Sequence, residues 1–208
     1  STDAGAVFPD RSVVQARLIE ILRDQTDVRP LAVLAIHCDR LEHLNDAYGL
    51  PQANELLNAV GARLSNQVHR SFLADAQSGS APVVARLGND QFVVLFADAP
   101  RCGQLEADAA GLAQALSEPY QIGTQAVQIS TFTGLAYYDD GAQTRSAQVV
   151  MQDAAAVLLQ ATQAASSCDS NSAESTSPAS RCKRFGSAPG RRNAADQSNA
   201  ENQTLSRV

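Results

Sequence analysis

A chain of 208 residues holds one domain with a sizeable core and has no room for two domains of ordinary size. Its formal charge of −6 at pH 7 argues against a protein whose main work is gripping a nucleic-acid backbone, so no nucleic-acid partner is expected. The longest apolar run, Leu31 to Ile36, falls far short of the roughly 20 residues that cross a bilayer, so no membrane span is expected either.

The opening STDAGAVFPD lacks the basic region and apolar stretch of a secretory leader, and the chain reads as cytoplasmic. Asp10 and Ser12 are candidate caps for a helix carrying Val14, Leu18, Ile21 and Leu22. After Pro30, Leu31 to Cys38 reads as a short buried strand. A helix-like piece carries Leu41, Leu44 and Tyr48, and beyond Gly49 and Pro51 a longer helix presents Leu56, Leu57, Val60 and Leu64 on one stripe.

Between Val83 and Ala97 two apolar strands flank Gly88, Asn89 and Asp90, residue types that tolerate the positive φ of a tight hairpin. Leu105, Ala109, Leu112 and Leu116 mark the next helix, which Pro119 ends. Ile122 to Gly134 reads as a hairpin around Gly123 and Thr124, continuing through Leu135 to Tyr138. A final helix with Val150, Ala154, Val157 and Ala161 closes the core. This order predicts an α+β fold with helices flanking a mostly antiparallel central sheet.

From Ser166 to Val208 the composition shifts to Ser, Asn, Ala and Arg, with Phe185, Leu205 and Val208 the only large apolar residues. So little apolar surface does not offset chain entropy, which predicts a folded domain over 1–165 and a disordered tail or linker over 166–208. The four cysteines, Cys38, Cys102, Cys168 and Cys182, lack C-x-x-C spacing and read as reduced thiols. His37, Cys38, His43 and Asp90 have no recognised metal-ligand spacing, so neither a metal nor another cofactor is expected.

Four segments in register resemble one family. FPDR (Phe8 to Arg11) is similar to LPNR, HCDRLEHLNDAYGLPQAN (His37 to Asn54) to DxDxFKxINDxxGHxxGD, RLGNDQF (Arg86 to Phe92) to RLGGDEF, and STFTGLAYY (Ser130 to Tyr138) to SIGxAxY. On these motifs the chain resembles the GGDEF, or diguanylate cyclase, family from about Phe8 to Ala165. The resemblance implies a nucleotidyl-cyclase-like fold.

Diguanylate cyclases join two GTP molecules by phosphoryl transfer, in which magnesium neutralises and positions the triphosphate. By resemblance the first metal carboxylate belongs where His37 stands; Cys38 follows it, and Asp39 shares its strand face. Asn89 replaces a glycine beside Asp90, and Gln91 replaces the acidic residue, leaving no base near neutral pH. Glu42 stands where the family places a phosphate-binding Lys, and no Lys occurs between Val150 and Ala165. Asn45 keeps the base-reading amide, while Asn54 replaces the guanine-binding Asp. Gly79 and Pro82 occupy the positions of the RxxD product site and offer it no side-chain ligand.

His37, Cys38, Asp39, Glu42, Asn45, Asn54, Asn89, Asp90 and Gln91 thus form the candidate vestigial nucleotide pocket, with no catalytic residue assigned. Leu41, Asp46, Gly49, Arg86 and Phe92 read as structural. The resemblance implies an inactive regulatory or protein-interaction module of bacterial cyclic di-GMP signalling, set beside a sensor or EAL domain in a longer chain. FimX-like receptors of type IV pili, with PilZ-type partners, offer the analogy. A GTP-binding sensor domain that holds nucleotide weakly is the alternative, and a surviving cyclase the third reading.

Overall fold

The structure, a computed structural model, describes residues 8–24, 28–39, 41, 46–47, 49–72, 80–168 and 179–185. Helices α1 (Arg11–Arg23), α2 (Leu50–Phe72), α3 (Cys102–Leu116) and α4 (Ala147–Cys168) flank a sheet of β1 (Leu31–Asp39), β2 (Val83–Arg86), β3 (Gln91–Phe96), β6 (Ser130–Tyr138) and β7 (Ala179–Phe185). Strands β4 (Tyr120–Ile122) and β5 (Gln125–Val127) make a separate two-stranded hairpin. The sheet order is β2-β3-β1-β6-β7, antiparallel except for the β6–β7 pair. The expected α+β arrangement is therefore observed.

Strand β1 is central because it is apolar on both faces. Ala32, Leu34, Ile36 and Cys38 point into one core with Leu56, Val60 and Leu64 of α2 and Leu105 and Leu112 of α3. Leu31, Val33 and Ala35 point into a second core with Val14 and Leu18 of α1 and Val150, Ala154 and Leu158 of α4. Successive side chains on a strand alternate faces, so a run without polar interruption must be covered twice.

Local chemistry sets where the elements begin. The Asp10 carboxylate caps α1, accepting the Ser12 hydroxyl at 2.5 Å and the Ser12 amide at 2.9 Å, and these bonds lower its pKa from the ordinary value of 3.8. Gly49, at φ +88°, turns the chain into α2. The α3 C-terminus is held by Arg63 of α2, whose guanidinium donates to the carbonyls of Ala115 (3.2 Å), Glu118 (2.6 Å) and Pro119 (3.0 Å) while lying over the Tyr120 ring.

Three expectations need correction. The stretch from Ile122 to Gly134 is not one hairpin: β4 and β5 pair with each other, and β6 leaves them at Ser130 to join the central sheet. None of Gly88, Asn89 or Asp90 takes a positive φ, so the β2–β3 turn closes without the left-handed conformation. Within the segment expected to be a tail, α4 runs on to Cys168 and Ala179–Phe185 forms β7, parallel to β6 from Phe132↔Ala179 to Tyr138↔Phe185.

Counting large apolar residues missed β7 because an edge strand is held mainly by its ladder. Cys182 packs on the first core, Phe185 stacks on Tyr138 at 5.0 Å between centroids, and Arg184 forks onto the Asp139 carboxylate. Residues 169–178 and 186–208 lie outside the described residues.

Two predictions follow from these contacts. A Cβ on Gly134 of β6 would collide with the backbone N and Cα of Leu158 on α4. Backbone yields little, so Gly134→Ala should destabilise the domain by about 1–3 kcal/mol in a urea titration. The depressed carboxyl of Asp10 stabilises the fold above its ordinary pKa of 3.8, and that contribution is lost as pH falls through the lowered folded value. Asp10→Ala should therefore lower the thermal midpoint at pH 7, and the gap from the parent chain should close in more acidic buffer.

Candidate functional site

The polar end of β1 meets the β2–β3 turn. The ladder between β1 and β3 runs from Ala32↔Phe96 to His37↔Gln91, and the Cys38 amide then donates to the Asp90 carbonyl at 2.8 Å. This last bond brings Asp90 alongside His37. Its Oδ2 lies 3.4 Å from His37 Nδ1, and that buried nitrogen makes no hydrogen bond. The imidazole also stacks on Phe132, with centroids 6.2 Å apart.

Strand parity sorts the expected pocket residues. His37 and Gln91 belong to the face covered by α1 and α4, and they line a cleft of about 430 Å³ whose wall includes Met151, Leu158, Leu159 and Thr162 of α4. Asp39 shares the parity of His37. Cys38 does not: its side chain is fully buried in the opposite core, where burial pushes the thiol up to about 12. It is a packing residue. Asn54 is exposed in the first part of α2, which covers the opposite face, and it does not line the His37 cleft. Glu42 and Asn45 lie outside the described residues.

The turn itself is tied by Arg86, whose Nε donates to the Gly88 carbonyl at 2.7 Å and whose other arm reaches Asn89 Oδ1 at 3.1 Å. Arg86 thus pairs with the turn that follows its own strand. Phe92 is buried. A Cβ on Gly88 would meet nothing within 4 Å, so no contact in the fold requires glycine there.

One residue absent from the expected pocket stands at its mouth. Arg11, the first residue of α1, lines both the His37 cleft and a shallower concavity of about 640 Å³ beside Gly88 and Asn89. In the sequence this residue is the arginine of the FPDR segment. Chemically, the cleft offers an arginine, an imidazole, an amide and an apolar wall. Among the described residues, no three His, Cys, Asp or Glu side chains converge so as to hold a metal ion. No helix among them is long and apolar enough to cross a membrane.

The chain has known relatives. The chain is 34% identical over 153 residues to MucR of Pseudomonas aeruginosa, named a bifunctional diguanylate cyclase/cyclic di-GMP phosphodiesterase, covering 71% of this chain and 20% of that protein. It is 30% identical over 147 residues to the diguanylate cyclase TpbB of the same species, covering 70% of this chain and 32% of that one. The chain thus spans a third or less of the length of these relatives.

Solved structures share the fold. The GGDEF domain of TpbB superposes with a TM-score of 0.68 at 24% identity, covering 86% of this chain and 98% of that one. The FimX GGDEF domain from Pseudomonas aeruginosa gives 0.62 at 20% identity, covering 79% and 94%. The family model described as diguanylate cyclase, GGDEF domain, matches residues 1–168, and the chain belongs to the GGDEF family.

Proposed function

We propose that this GGDEF domain serves cyclic di-GMP signalling as a regulatory or protein-interaction module, without cyclase chemistry of its own. The observation that carries the reading is the pairing of His37 with Gln91 at the floor of the cleft, where an imidazole and an amide stand across the ladder from one another. Magnesium prefers oxygen ligands and near-octahedral geometry. One imidazole nitrogen facing one carboxylate does not fit it, and Gln91 is no general base.

The apolar α4 wall, from Met151 to Leu159, supports the same reading because it gives a triphosphate no cation. Relatives such as MucR carry much more chain than this domain, which supports a neighbouring sensor or EAL domain as its partner. The domain's output is then transmitted through contacts between folded surfaces.

Incubated with magnesium or manganese GTP, the protein should yield no cyclic di-GMP by liquid chromatography, and Gln91→Glu alone should yield none either, since groups acting as one catalytic unit do not contribute additively. Product from either protein overturns the reading. The double variant His37→Asp, Gln91→Glu adds two carboxylates beside Asp90. Its thermal midpoint should rise by about 2–4 °C in magnesium, as about 1 kcal/mol of ligand stabilisation gives in a domain of this size, while the parent does not respond.

Arg11 favours a second reading, a GTP-binding sensor, because it sets one cation at the mouth of both concavities. Calorimetric titration with GTP, with and without magnesium, separates the two. Heat that disappears in Arg11→Ala supports the sensor, and no heat at millimolar nucleotide eliminates it.

A further inference from the structure

We propose that Cys102 and Cys182 form a peroxide-sensitive dithiol whose disulfide pins the edge strand β7 to helix α3. Their sulfur atoms stand 3.6 Å apart although the residues are 80 positions apart in sequence. Both are free thiols, both are partly exposed, and both rest on the rim of the first core. Cys102 opens α3, and Cys182 sits in β7 opposite Leu135 of β6. The approach is therefore set by two elements packed independently on β6.

This site is separate from the cleft at His37, and the inference does not depend on the proposed function. Position makes the pair consequential. Among the described residues β7 is the outermost strand and its ladder to β6 the sheet's one parallel pairing, and it is tied by surface contacts such as Arg184 on Asp139. A cross-link to α3 would remove the freedom of such a strand to lift away from the sheet.

The chemistry needs a two-electron oxidant, which hydrogen peroxide supplies. Burial and the neighbouring thiol push Cys182 up to about 12. One sulfur of the pair attacks a peroxide oxygen, breaking the O–O bond to give a sulfenic acid and water. The other sulfur, 3.6 Å away, then displaces the sulfenic oxygen as a second water, forming the S–S bond with loss of one hydrogen from each thiol.

The test uses the full chain carrying Cys168→Ser to remove a competing thiol, treated with hydrogen peroxide, alkylated and digested without reductant. A Cys102–Cys182 linked peptide, two hydrogens lighter than the sum of its parts and reversed by dithiothreitol, is expected. Deuterium uptake over residues 180–185 should slow by about tenfold or more in the oxidised protein, because opening of β7 now has to move α3 as well. Cys102→Ser and Cys182→Ser should each lose both effects, and either alone suffices if the other fails to fold. Singly oxidised cysteines without a link, links only between chains, or a link that leaves β7 exchange unchanged overturns the proposal.

Discussion

Strand β1 has no solvent face, and the rest of the molecule is arranged to meet that demand. Leu31 through Ile36 are almost wholly excluded from water, so each face of the strand needs its own pair of helices. At roughly 25 cal/mol for each Å² of apolar surface removed from water, leaving either face open costs more than the domain's net stability. Position in the ladder is equally constrained, because a slip of one residue exchanges the two faces and would turn His37 into the α2–α3 core.

That constraint also explains how a polar site is built at the end of an apolar strand. The pattern that buries Ile36 sends His37 toward α4, and the ladder with β3 sets Gln91 across from it. Asp90 is delivered by backbone chemistry: its carbonyl accepts the Cys38 amide, and its side chain then falls beside the imidazole. The cleft's other wall is helix α4, whose Leu158 and Thr162 reach it because Gly134 lets the helix backbone lie directly on β6. Packing and pocket thus share one contact.

The two edges of the sheet are managed differently. At the β2 edge the strand is short, four residues, and the Arg86 amide donates to the Pro9 carbonyl at 2.9 Å, so the approach to α1 covers it. At the β7 edge, Arg181, Lys183 and Arg184 place positive charge on a seven-residue strand, which disfavours pairing with a further strand. The same charges hide β7 from a reading based on apolar content.

Much of this was legible in the order of the residues. Periodicity located α1, α2, α3 and α4 because amphipathic stripes such as Leu56, Leu57, Val60 and Leu64 survive any context that covers one face. The motif segments identified the fold family and pointed to His37, Asp90 and Gln91, since a β1 end and a hairpin turn in that family resemblance imply proximity. Tertiary structure decided the rest. Only packing between distant segments moves Asn54 away from the His37 cleft and adds Arg11 to it, because those outcomes depend on how helices dock on the sheet. Strand β7 is the sharpest case: its sequence is polar, and it becomes a strand through the backbone groups that β6 presents and through contacts of Cys182 and Phe185 with residues 80 and 47 positions earlier, Cys102 and Tyr138.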